Sequence, residues 1–436
     1  MALGGGIWTT QNKVLPGSYI NFISVASADA KLSERGYATM PLEELDWGPE
    51  GEIFEVTVDD FKTRALHIFG YDYLHAKLKG LRDLFAYAKT LYAYRLTSGG
   101  VKAACDYATA KYSGTRGNDL KVVIAKNADD AEKWDVTTYI GTSKLGTQTA
   151  ATAAELLDDD FFVWKKDAVL AATAGTSLNG GTNGDVTGEA YQAYLDQAES
   201  YSFNTMGIVT SDETIKKLAI NYVNRLRDDV GVKFQLVLHH APADAVGVID
   251  VKNDVSDEDW AKESAVYWVT GASAGCAVNA SNTNRKYDGE FTIDCNYTQT
   301  QLIKAIQAGE FTFHRVGSDV RVLEDINSFV SFTDEQNELF ADNQTIRVID
   351  QIANDDAVLF NTKYLGKVPN DEAGRISLWN DFVKARKALQ EIRAIENFAD
   401  TDVTVSQGST KKSVLVTQKI TVVNAMTHLY MTVKVV

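Results

Sequence analysis

Between Val414 and Val423 apolar and polar residues alternate. Val414, Val416, Ile420 and Val422 fall on one face, and Thr417, Lys419 and Thr421 on the other. After Asn424 and Ala425 the alternation resumes, with Leu429, Met431, Val433 and Val435 against Tyr430, Thr432 and Lys434. A period of two in β-branched and aromatic residues predicts strands. A terminal strand this apolar needs a sheet edge to pair with, in its own chain or in a neighbour's. That demand organises the rest of the reading.

A chain of 436 residues predicts two to four domains. Apolar residues make up 45% and charged residues 23%, enough to bury real cores. The net charge of −16 argues against non-specific binding to nucleic acid or to an anionic membrane surface. Cys105, Cys276 and Cys295 are isolated and odd in number, which fits small buried thiols in a reducing compartment. No apolar run is long enough to span a membrane, and Met1–Gly6 lacks the features of a signal peptide.

The expected class is a multidomain α+β or α/β protein. Residues 1–29 read as an arm: Gly4-Gly5-Gly6 and Pro16-Gly17 flank Ile7 and Trp8, and an apolar strand follows with Tyr19, Ile20 and Phe22. Residues 30–97 read as an α/β unit. Residues 98–187, with short strands and Gly-rich turns, read as an inserted all-β domain, and 188–326 as an α/β core. Residues 327–426 form a C-terminal domain with a long helix predicted over Asp371–Glu396, and 427–436 form a terminal strand. That helix should bury Ile376, Trp379, Phe382, Val383, Leu389, Ile392 and Ile395. Its basic residues, Lys384, Arg386, Lys387 and Arg393 among them, suggest a dock for an acidic partner.

Few motifs point to catalysis. Gly271-Ala272-Ser273-Ala274-Gly275 has the spacing of a serine nucleophile elbow and approaches a dinucleotide-binding loop. The same letters suit a small-residue helix packed closely on a neighbour, and only His314 and His428 follow as candidate bases. His239 and His240 end a predicted strand, and adjacent strand residues point to opposite faces, so the pair reads as structural. The acidic runs Asp158–Asp160 and Asp254–Asp259 lack the spacing of a calcium loop. The reading assigns no catalytic residue, cofactor or metal. A serine hydrolase using Ser273 is the alternative from another class, and a monomeric binding module is a third.

Several segments resemble contractile phage tail sheath proteins, above all those of Gram-positive phages and phage-like bacteriocins. They are Val14–Ile20, Gly36–Leu42 with Leu45–Pro49, Trp268–Gly275 followed by Ser281, Thr283 and Lys286, and Tyr364–Asp371. The resemblance implies a homo-oligomer of hexameric rings, stacked around a tail tube, that contracts to drive the tube through a cell envelope without a nucleotide. It implies tail tube, baseplate and tail terminator proteins as partners, and assembly in the bacterial cytoplasm into a virion or phage-like particle tail. It also implies strand exchange. The arms are Tyr19, Ile20 and Phe22 at one end and Leu429, Met431, Val433 and Val435 at the other. The recipient strands contain Val403 and Val405, and Val414, Val416, Ile420 and Val422. The inner C-terminal α/β domain carrying the basic helix faces the tube.

Overall fold

The computed structural model describes residues 32–43, 45–97 and 99–435. These fall into two compact units. One takes 34–354, 392–396 and 422 onward; the other takes residues up to 33, 355–391 and 397–421. The N-terminal arm strand lies outside the described residues.

The larger unit is built on a seven-stranded sheet. Its first strands are β1 (Tyr37–Leu42), β2 (Ile53–Thr57) and β3 (Thr90–Arg95). The chain then leaves the sheet for strands β4 (Ala108–Ala110), β5 (Leu120–Lys126), β6 (Trp134–Ile140), β7 (Ser143–Ala150), β8 (Phe162–Trp164) and β9 (Thr173–Ser177). It returns through β10 (Thr205–Gly207), β11 (Gln235–His239), β12 (Val248–Val251) and β13 (Glu310–Phe311). The strand order is β13-β12-β11-β10-β1-β3-β2, parallel throughout except for β2. The segments expected as separate units, 30–97 and 188–326, therefore share one sheet. Periodicity identifies strands but not pairings across an insertion.

Helices cover both faces of the sheet, as buried parallel strands require. One face packs against α1 (Val58–Phe69), α2 (Lys79–Phe85) and α5 (Ala265–Gly275) through Phe61, Leu81 and Trp268. The other packs against α3 (Gly188–Ala198) and α4 (Glu213–Arg225) through Tyr194 and Ala219. The helix predicted over Tyr73–Thr90 is cut to α2, because β3 already begins at Thr90. Side chains cap α1 and α4: the Thr57 hydroxyl accepts from Asp60 N at α1, and the Asp212 carboxylate from Thr214 N at α4.

The insertion has its own core. Strands β7-β6-β5-β9 form an antiparallel sheet, β4 pairs with β8, and Leu120, Val122, Val136, Phe161 and Trp164 pack together. Arg95 ties it to the parallel sheet, with its Nη1 on Gly48 O at 3.1 Å and Ser113 O at 3.0 Å. Beside it Gly114 sits at φ +124°, where a Cβ would meet Asp46 O at 2.0 Å, so glycine is required there.

Helix α6 (Gln299–Gln307) leads into β13, and beyond β13 comes the hairpin β14 (Phe313–Val316) and β15 (Asp319–Val322). Helix α7 (Asn343–Leu359) follows, and the division between the units falls within it, after Asn354. This division by contacts is a different one from the sequence boundary expected near residue 327. The smaller unit contains α8 (Glu372–Glu391) and an antiparallel hairpin of Val403–Gln407 and Val414–Gln418, with Val403 opposite Gln418 and Gln407 opposite Val414. Among the described residues, no helix is long and apolar enough to cross a membrane.

Candidate assembly surfaces

The C-terminal hairpin has the predicted facing. Val414, Val416, Ile420 and Val422 are partly buried, while Leu415, Thr417, Lys419 and Thr421 are exposed. The expected continuous strand is interrupted after Gln418, where Lys419 N turns away to Asp402 O at 2.9 Å. Val403 is buried and Val405 partly so, and Trp379 Nε1 on α8 donates to Val403 O at 2.9 Å. Among the described residues this sheet has two strands, so each strand keeps one edge without a ladder partner.

The tail beyond the hairpin is rooted and then bare. Gln344 on α7 holds it from both sides, donating to Val423 O at 2.9 Å and accepting from Ala425 N at 3.0 Å. From Met426 to Val435 the described chain forms no strand. Leu429 is 84% exposed, and Tyr430, Met431, Val433 and Val435 are also exposed. The strand predicted over 429–435 therefore has no pairing within its own described chain. A backbone with that propensity and no edge to join has no ladder to hold it.

The basic helix differs from expectation in three ways. Helix α8 ends at Glu391, and Arg393, at φ +61°, belongs to the other unit. Arg386 is 1% exposed; its Nε donates to Gln418 Oε1 at 2.7 Å and its guanidinium pairs with Asp356. It is a core ion pair that braces the hairpin, because a buried cation is tolerated only beside its counter-charge. Ile376 and Ile392, expected inside, are exposed, whereas Phe382, Val383, Leu389 and Ile395 are buried as expected. Lys384 and Lys387 do lie on the surface. They line a depression of about 450 Å³ with Trp379, Glu391 and Asp400, and Lys387 Nζ sits 2.8 Å from Asp400 Oδ1.

Ser273 is not at an elbow. It lies inside α5, 1% exposed, and its hydroxyl has no hydrogen-bond partner. The flanking glycines serve packing: a Cβ on Gly271 would meet Leu84 O at 2.1 Å, and one on Gly275 would meet Tyr87 O at 2.2 Å. Arg35 closes the helix end, donating to Ser273 O at 3.0 Å and Cys276 O at 2.8 Å. The Ser273 hydrolase alternative has no accessible nucleophile on which to stand. Two substitutions separate packing from chemistry. Gly271→Ala should destabilise by about 1–3 kcal/mol or more, because backbone must move. Ser273→Ala should be neutral or slightly stabilising, since it removes an unpaired buried hydroxyl. Thermal unfolding of both variants reads this out.

The histidine pair also departs from expectation. His240 takes φ +47°, and the two rings stack 3.9 Å apart instead of pointing to opposite faces. The alternation fails because β11 ends at His239 and the chain turns into Ala241-Pro242. Those two residues after the pair were the signal available in the sequence. Burial, reinforced by neighbouring His240, lowers the His239 pKa to about 4, so its imidazole is neutral near pH 7.

Comparison with known proteins gives consecutive matches along the chain. Residues 35–96 match the tail sheath protein Gp18 domain III N-terminal region, and 98–183 the phage tail sheath protein beta-sandwich domain. Residues 184–328 match the phage tail sheath protein central domain, and 335–436 the phage tail sheath C-terminal domain. The phage-like element PBSX protein XkdK of Bacillus subtilis is 31% identical over 471 residues, covering 99% of this chain and all of that protein. A sheath tail protein of Desulfitobacterium hafniense superposes with a TM-score of 0.82 at 37% identity, over 94% of this chain and 98% of that one. The contracted helical sheath of the anti-feeding prophage shares the fold, with a TM-score of 0.60 at 12% identity over 97% of this chain and 99% of that one.

Proposed function

This chain belongs to the phage tail sheath protein family, and from that premise we propose that it polymerises by strand exchange into stacked hexameric rings around a tail tube and contracts to drive the tube through a cell envelope. The observation that carries this reading is the bare tail. Leu429, Met431, Val433 and Val435 alternate as a strand does and are exposed, and the hairpin of Val403–Gln407 and Val414–Gln418 leaves two edges without ladder partners among the described residues. A tail that enters the corresponding hairpin of another copy answers both needs.

The energetics favour a cooperative polymer over a tight pair. Ordering eight residues costs about 8–16 kcal/mol of backbone entropy. Four hydrogen bonds and four buried apolar side chains return about 8–18 kcal/mol together. A single arm is near break-even. A second arm per subunit, Tyr19, Ile20 and Phe22 in this reading, acts at high effective concentration once the first has docked. Contraction is then a switch between two packings of rigid bodies that remain linked by their arms.

The partners in this reading are further copies of the chain, the tail tube, and the baseplate and terminator that close the tube's ends. The tube-facing surface narrows to Lys384 and Lys387. The double variant Lys384→Glu and Lys387→Glu should still fold and form sheath-like tubes, but assembly on a tail tube should drop severalfold; unchanged loading would remove those lysines from the interface. Electron microscopy of purified protein tests the reading as a whole. Hollow striated tubes are expected, and a monodisperse monomer at high concentration would count against it.

A further inference from the structure

The stacked histidines do not act alone. Asp254, just past the end of β12, places its Oδ1 3.1 Å from His239 Nε2 and 3.9 Å from His240 Nε2. The donor atoms of the three side chains lie within 4.8 Å of one another. His239 is 3% exposed, yet its Nε2 has no hydrogen-bond partner, because the approach to Asp254 is close but poorly aligned. A buried ring nitrogen without a partner beside a carboxylate is a costly arrangement unless something occupies the space between them.

The backbone holds this arrangement in place. A non-glycine residue at positive φ is strained and persists only where its surroundings fix it. Here His240 N donates to Val251 O at 3.1 Å, and His240 O accepts from Lys216 Nζ at 3.3 Å. The next residue is fixed as well, with Ala241 N on Asp250 Oδ1 at 2.7 Å. The turn that brings the two rings together is thus anchored to β12 and α4.

We propose that His239, His240 and Asp254 form a binding site for a first-row divalent metal ion of the zinc type, clipping the end of β11 to the chain that leaves β12. Two imidazoles and one carboxylate suit such an ion and do not suit magnesium or calcium. Ligands about 2.0–2.2 Å from a tetrahedral ion stand roughly 3.3 Å apart. The 3.1 Å pair already matches; the 3.9 Å pair closes when the exposed His240 ring swings out of its stack on His239, because parallel rings 3.9 Å apart cannot both hold one ion in their planes. Binding through His240 Nε2 exchanges its contact with Lys252 O, at 2.6 Å, for the metal bond. Lys262 Nζ, 3.4 Å from Asp254 Oδ2, is mostly exposed and can swing into solvent. Water completes the coordination on the open side, where His240 and Asp254 reach the surface.

Equilibrium dialysis of the chelator-treated full chain against Zn²⁺ tests the proposal. One bound ion per chain is expected, with a rise in unfolding temperature that excess Mg²⁺ does not reproduce. His240→Ala and Asp254→Asn change accessible side chains, so the fold should survive, and each should weaken Zn²⁺ binding at least about 10-fold. His67, which pairs with Asp160 at 3.0 Å on the surface of the same unit, serves as the control, and His67→Ala should bind as the parent does. Absence of stoichiometric Zn²⁺, or wild-type affinity in both the His240 and Asp254 variants, would overturn the site.

Discussion

A chain ending at Met426 is expected to fold with an unchanged circular dichroism spectrum and to form no tubes at any concentration at which the full chain does. Met426 and the described residues after it form no strand, and the root of the tail is held at Val423 and Ala425, before the cut. Removing the segment therefore takes almost nothing from the protomer's core. What it removes is a set of exposed apolar side chains, each contributing about 1.5–3 kcal/mol if buried in a partner. Assembly should fall by several orders of magnitude, because a near-balanced lattice loses one of the two links on which its avidity rests. A milder version, Met431→Asp with Val433→Asp, keeps the chain length and should also block tubes. Unfolding of the truncated chain would show instead that the tail belongs to its own core, and tubes from it would show that the link lies elsewhere.

How much of this was legible in the sequence depended on how local each cause was. The facing of Val414, Val416, Ile420 and Val422 follows from period two alone, and the structure has it. Strand β7, Ser143–Ala150, carries no such pattern because most of its residues are exposed or only partly buried, so nothing marks it. The glycines at 271 and 275 correctly suggested close packing, but the carbonyls they approach, at Leu84 and Tyr87, lie far away in sequence. The burial of Arg386 is hidden from the sequence for the same reason. A basic residue on a helix reads as solvated until its counter-charge, Asp356 thirty residues earlier, is found beside it. His240 failed differently, since one residue at positive φ cancels the alternation rule.

The second large effect should come from a buried ion pair that no motif announces. Arg227, in the turn that ends α4, gives two parallel hydrogen bonds to Asp350 on α7, both 2.7 Å, and a third to Phe234 O at 2.6 Å. Both side chains are nearly inaccessible, at 6% and 8%. Asp350→Ala leaves a guanidinium in the interior with one carbonyl to satisfy it, and should cost about 3–5 kcal/mol. Chemical denaturation should show the loss as a lower midpoint with an unchanged slope. The pair's net worth is a separate quantity, since bringing both charges out of water was itself expensive. Replacing both, Arg227→Met with Asp350→Leu, should recover most of the stability that the single change removes. If the double variant is as unstable as Asp350→Ala, the pair contributes through geometry that apolar side chains cannot imitate. Near-wild-type stability of the single variant would mean that water reaches Arg227 and that this end of α7 is looser than its hydrogen bonds imply.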